Sequence, residues 1–210
     1  MNHKAQILDW EKVSATIKRL QEKQDDQDLL LVCCAAFTGC RPGDFTKFRW
    51  EDFIGSDGKA KENISIVERK PKHIAAAKGK KAPRRKIFLL EEFRTILEEC
   101  CARRARFDGG YIFWTKMTNR KVVNGITTQT ANKWLKRIAK DNDLPGDITT
   151  YSFRRTCARR IFESYRNKDF AFALRVTQQF LNHEDARTTM AYIGLMDDEL
   201  QSAFSQLSML

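Results

Sequence analysis

A chain of 210 residues is long for one compact domain and short for two ordinary ones, and at 42% apolar, with 14 Phe, it can bury a real core. Lys and Arg outnumber Asp and Glu by 38 to 27, a formal charge of +11 that points to polyanionic partners, nucleic acid ahead of an anionic membrane surface. No apolar run reaches the roughly 18 residues of a membrane span, Met1-Asn2-His3-Lys4 opens no signal peptide, and the cysteines show neither CxxC nor a His partner at zinc spacing, which disfavours membrane-spanning, exported disulfide-rich and zinc-binding classes.

Asp9 to Gln21 carries Trp10, Val13, Ile17 and Leu20 at helical spacing, so an amphipathic helix capped by Asp9 is predicted there. Gln24 to Asp28 reads as a polar break. Leu29 to Thr38 is apolar nearly all round, as a central helix is, and Gly39 and Pro42 stop it. Asp44 to Trp50 is a further short helical piece with Phe45 and Phe48 facing inward. The period then changes. Asn63 to Glu68 alternates like a strand, and Lys86 to Leu90 resembles a second. The connection between them is strongly basic, with Lys70, Lys72, Lys78, Lys80, Lys81 and Arg84. A basic hairpin projecting from a helical body fits a phosphate backbone, and a solvated loop is the competing reading.

Glu91 to Arg104 returns to helical spacing through Phe93, Ile96, Leu97 and Cys100, and Tyr111 to Trp114 is a short apolar segment. Thr128 to Asp141 is a helix with Trp134, Leu135 and Ile138, broken at Pro145-Gly146. Tyr151 to Tyr165, Asp169 to Leu181 and Asp197 to Leu207 complete a helical C-terminal half. The expected fold is mainly α with a small antiparallel β-sheet, in one domain spanning 1–210. Cys33, Cys34, Cys40, Cys100, Cys101 and Cys157 read as reduced thiols serving as small core hydrophobes in a cytoplasmic protein.

Three segments carry the chemistry: Thr38-Gly39-Cys40-Arg41-Pro42-Gly43-Asp44, Tyr151-Ser152-Phe153-Arg154-Arg155-Thr156, and Leu181-Asn182-His183 with Tyr192 nine positions after the His. Cutting a phosphodiester needs fixed cations on the non-bridging oxygens, a nucleophile in line, and a proton donor for the leaving oxygen. Arg serves the first need because its fork grips two oxygens and keeps its charge, and Tyr can serve the second if its phenol loses a proton during attack. In these boxes, in this order, the sequence resembles the tyrosine recombinase (phage integrase) family from about Leu8 to Leu200, with Phe48-Arg49-Trp50 trailing the first box.

The resemblance implies the following roles. Arg41 and Arg154 would clamp the phosphate, Tyr192 would form a 3′-phosphotyrosyl link, and Lys70 would be the general acid. His183 would bond the phosphate or assist proton transfer, and Asp44 would orient an arginine. Lys72, Lys78, Lys80, Lys81 and Arg155 would touch DNA, and Lys72, Lys78 and Lys80 are alternatives to Lys70 as the acid. Double-stranded DNA would be the partner, bound by a homo-oligomer, a tetramer in synapsis. No cofactor, metal or membrane is implied, and the location would be cytoplasmic, at the nucleoid. Tyr151 departs from the family pattern, since it stands where a His is usual and so offers a hydrogen bond without positive charge. Only forty residues precede Arg41, so no separate N-terminal clamp domain is expected within this chain. The amphipathic tail 197–210 would dock on a neighbouring protomer or fold back on its own core.

Each residue also has a plainer reading. Arg41 suits a cap on the preceding helix, Asp44 a cap on a short helix, and His183 and Tyr192 ordinary packing. Arg154 stands among Arg155, Arg159 and Arg160, any of which could be solvated. Two other functions compete: a type IB topoisomerase-like nicking-closing enzyme, and a DNA-binding accessory factor with weakened catalysis.

Overall fold

The computed structural model describes residues 5–68, 84–104, 110–116, 123–145, 147–196, 202 and 205. Helix α1 (Trp10–Glu22) opens where the Asp9 carboxylate accepts from the Glu11 N–H at 2.9 Å, and it buries Val13, Ile17 and Leu20. Helix α2 (Asp26–Phe37) is the centre of the molecule, with Leu29 through Ala36 fully buried. It starts three residues before the sequence-based expectation. Asp25 caps it, and the two acids that read as a polar break are ion-paired in its first turn. Asp26 meets Arg103 at 2.6 Å and Asp28 meets Arg137 at 2.5 Å. Burial, and then Asp25, pushes Asp28 up to about 6 despite that partner.

Two short helices follow, α3 (Pro42–Phe45) and α4 (Trp50–Phe53), where one piece over Asp44–Trp50 is expected. Pro42 at the first helical position fixes the start of α3. Strands β1 (Asn63–Ile66) and β2 (Arg85–Phe88) pair antiparallel, Asn63 opposite Phe88 and Ile66 opposite Arg85. Both expected strands therefore form, and β2 begins one residue earlier, at Arg85. Helix α5 (Glu91–Arg104) leads to a second hairpin, β3 (Trp114–Lys116) with β4 (Val123–Gly125). The short apolar segment expected at Tyr111–Trp114 overlaps β3 at Trp114 alone.

Helices α6 (Thr128–Asp141), α7 (Thr150–Arg166), α8 (Phe170–Leu181) and α9 (Ala186–Ile193) follow, within a residue or two of expectation for the first three. The main core joins α1, α2, the α3–α4 turns, β1, β2, α5 and α6 with Phe153 of α7. A separate cluster of Ala158, Phe162, Ala173, Leu181, Ile193 and Leu195 packs α7, α8 and α9 together, with Tyr192 against it. Cys33, Cys34, Cys40, Cys100 and Cys157 are free and buried, and burial holds the Cys40 thiol up at about 11. Among the described residues no helix is long and apolar enough to cross a membrane. The expected tail 197–210 lies outside the described residues apart from Ser202 and Ser205.

Candidate active site

Arg41 stands at a helix boundary built by its neighbours. Thr38 ends α2 with its hydroxyl on the Cys34 carbonyl at 2.7 Å, and Gly39 then takes φ +58. A Cβ at Gly39 would sit 2.7 Å from the Phe180 ring, so both the backbone and the space require glycine. Arg41 is the extended residue capping α3, and its carbonyl accepts from the Asp44 N–H at 2.9 Å. Its guanidinium reaches Glu68 at 2.9 Å. The loose carbonyls at the end of α2, those of Thr38 and Gly39, are met instead by Arg85. The capping task that Arg41 could have taken thus falls to another arginine.

Arg154 lies on α7 and is 2% exposed. It donates to the Leu181 carbonyl at 2.6 Å, and its guanidinium carbon lies 5.8 Å from the centre of the Tyr192 ring. Burial, opposed by Tyr192 and aided by Arg41 and Arg85, lowers its pKa. The rest of the arginine cluster divides by function. Arg155 is 9% exposed and donates to the carbonyls of Tyr192 and Ala5. Arg159 donates to the Ile193 carbonyl at 3.1 Å, and Arg160 stacks on Trp10 at 4.6 Å. Arg155 and Arg159 therefore cover the C-terminal carbonyls of α9, as cations at helix ends do. Two of the Arg155 donors, Nε and Nη1, are thus turned inward onto backbone carbonyls.

The His183 turn is specified at both sides. Asn182 adopts the left-handed conformation that ends α8, and the His183 N–H donates to the Gln178 carbonyl at 3.1 Å. Asp185 then caps α9, accepting from the Thr188 N–H at 2.7 Å, and its hydrogen bonds from Thr188 lower its pKa. His183 Nδ1 is 3.3 Å from the Thr189 hydroxyl. The His183 and Tyr192 rings meet edge to face, 5.4 Å apart at 87°.

The Tyr192 hydroxyl and Arg154 Nε are buried without a hydrogen-bond partner among the described residues. Burial raises the Tyr192 pKa, as would an ionised Tyr151; Arg154, Arg155 and Arg41 pull it the other way without prevailing. Tyr151 itself is 42% exposed on the first turn of α7. Arg41, Arg154, His183 and Tyr192 are thus brought together. The Asp44 N–H donates to the Arg41 carbonyl, and the Glu68 carboxylate accepts from the Arg41 guanidinium. Lys70, Lys72, Lys78, Lys80 and Lys81 lie outside the described residues.

Sequence reading missed Glu68, Arg85 and Asn182. Glu68 is 1% exposed, accepting from Arg85 at 2.8 Å, Arg41 at 2.9 Å and the Asn182 amide at 2.6 Å. Burial alone would raise its pKa, but the Asn182 amide and the two arginines outweigh burial and hold it below the usual value. A signal for Arg85 was available, because it stands two residues before the buried Ile87 and so shares its inward strand face.

A model of the Phage integrase family matches residues 6–199. No curated protein sequence matches the chain. Among solved structures, XerA recombinase is similar with a TM-score of 0.67 at 21% identity, over 98% of this chain and 65% of that one. XerH site-specific recombinase in a post-cleavage complex with palindromic difH substrate gives 0.64 at 18%, over 97% and 54%. A lambda integrase dimer bound to a COC′ core site gives 0.57 at 16%, over 92% and 60%. The chain thus spans between about half and two thirds of the length of these proteins.

Proposed function

This chain belongs to the phage integrase family, and from that premise we propose that it is the catalytic domain of a site-specific DNA recombinase acting through a 3′-phosphotyrosyl intermediate. The observation that carries the reading is the Tyr192 hydroxyl, buried without a partner among the described residues on a ring that faces the Arg154 guanidinium and meets the His183 imidazole edge to face. An unmet buried polar group costs about 1–3 kcal/mol, and such a cost is tolerated where a ligand will meet the group. A DNA phosphate supplies the acceptor oxygens that Arg154 Nε and Arg41 would grip.

In the proposed step the Tyr192 oxygen attacks phosphorus and the bond from phosphorus to the 5′-oxygen breaks. The phenol proton passes to His183 or a phosphate oxygen. The 5′-oxygen takes a proton from a hairpin lysine, Lys70 in the first instance. Two fixed guanidiniums spread the negative charge of the transition state, so the step is written without a metal. Asp44 is proposed to steady the Arg41 turn, and Tyr151 to offer a hydrogen bond at the site's edge. The partner is double-stranded DNA, with Lys72, Lys78, Lys80 and Lys81 on its backbone. The assembly is a tetramer that exchanges strands, and the tail 197–210 is a candidate for docking between protomers.

The test is covalent trapping on a nicked duplex whose short 5′ fragment diffuses away after cleavage. The wild type should give a detergent-resistant adduct and Tyr192→Phe none, with duplex binding intact. Exchange between paired labelled duplexes is expected; supercoil relaxation without exchange would favour the topoisomerase-like reading.

A further inference from the structure

Glu68 sits where the two halves of the site meet. Its Oε2 accepts from Arg41 at 2.9 Å and from Asn182 at 2.6 Å, and its Oε1 accepts from Arg85 at 2.8 Å. Arg85 in turn donates to the carbonyls of Gly39 at 3.1 Å, Thr38 at 3.4 Å and Phe180. This one buried ion pair therefore touches the turn that presents Arg41 and the helix end that presents His183.

The electrostatics call for such a pair. Arg41 and Arg85 both lie near enough to Arg154 to lower its pKa, after burial. Guanidiniums gathered away from water repel one another strongly. A single carboxylate, kept ionised by its three donors, offsets that repulsion before any phosphate arrives. Glu68 engages Arg41 through Nη1, and a guanidinium carries further donors on Nη2 and Nε for a phosphate.

We propose that Glu68 and Arg85 are positioning residues: the Glu68 carboxylate aims the Arg41 guanidinium at the scissile phosphate, and with Arg85 and Asn182 it locks the Arg41 turn against the His183 turn. The proposal rests on the phosphotyrosine reading of the site. Neither residue touches the reacting atoms in it. Both act through Arg41 and His183.

Two substitutions separate this role from simple stabilisation. Glu68→Gln keeps the shape and removes the charge. Asn182→Gly removes only the amide, since glycine accepts φ +52 without strain. The probe is a nicked duplex of the sequence that the chain itself selects from a randomised pool, with either a phosphodiester or a neutral methylphosphonate at the cleaved linkage. In single-turnover adduct formation on the phosphodiester, Glu68→Gln should be slower by about 10- to 100-fold, the scale of a misplaced catalytic group. Asn182→Gly should fall in the same direction by less, and duplex affinity should hold in both. On the methylphosphonate the deficit should shrink, because a neutral linkage asks less of the Arg41 clamp.

Rates at or above wild type in both variants would overturn the proposal, as the carboxylate would then merely compete with phosphate. Equal losses on the two linkages would also overturn it, as a structural defect does not read the phosphate charge. If Glu68→Gln does not fold, Asn182→Gly carries the comparison. No adduct from the wild type removes the phosphotyrosine reading and this proposal together, whereas wild-type adduct with unimpaired variants removes this proposal alone.

Discussion

The Tyr192 hydroxyl sets function against stability in a single atom. It is buried without a partner among the described residues, and burial also raises its pKa, so the resting side chain is a neutral phenol with an unmet donor. Tyr192→Phe deletes that donor and keeps the ring that meets His183 edge to face. Urea denaturation of this variant should therefore show stability unchanged or raised, by up to the roughly 1–3 kcal/mol that an unmet donor costs, alongside loss of cleavage. Destabilisation by about 1 kcal/mol or more would mean the hydroxyl is bonded within the folded chain. Alanine at Arg155 probes the neighbouring carbonyl. It removes charged donors from the Tyr192 and Ala5 carbonyls, so stability should fall by about 1–3 kcal/mol. With those donors turned inward the salt dependence of duplex binding should stay unchanged; a slope shallower by about 1 would mean that Arg155 meets a phosphate.

Among the elements, α9 is the most dependent on others. It is short, is capped by Asp185 at its start and by the left-handed Gly194 at its end, and relies further on Arg155 and Arg159 of α7 at that end and on the small cluster around Phe162 and Ile193. The β1–β2 hairpin plays the matching part for Arg41 through Glu68 and Arg85. Because the folded-state pKa of Glu68 is depressed, its stabilising effect is complete above the ordinary carboxylate value and is lost as pH falls through the lowered value. Thermal melts on the acid side should accordingly show a shallower loss of stability in Glu68→Gln than in the wild type. An identical acid limb in the two would mean that Glu68 does not carry that dependence.

The same contrast decides what could be read from sequence. Helices α1, α5, α6 and α8 were legible because periodic apolar residues and local caps such as Asp9 and Asp169 announce them. The start of α2 was hidden because Asp26 and Asp28 look like a break until Arg103 and Arg137 arrive from 77 and 109 positions away. Of the site, Arg41, Arg154, His183 and Tyr192 were legible as an ordered set. Glu68 and Arg85 were not, since a charge 27 positions from its partner reads as a solvated one.

For the whole molecule, the charge of +11 gives the broadest expectation. Affinity for duplex DNA should fall steeply with salt, by about 0.9 in log K per log salt for each phosphate neutralised. A flat response in a titration by fluorescence anisotropy would remove the electrostatic part of the account. The central claim is narrower, namely that one named tyrosine takes the DNA phosphate. The measurement that reaches it most directly is peptide mass spectrometry of the trapped adduct after nuclease digestion. The nucleotide remnant should map to Tyr192, joined through a 3′-phosphate; a remnant on Tyr151 or on any other residue would contradict it.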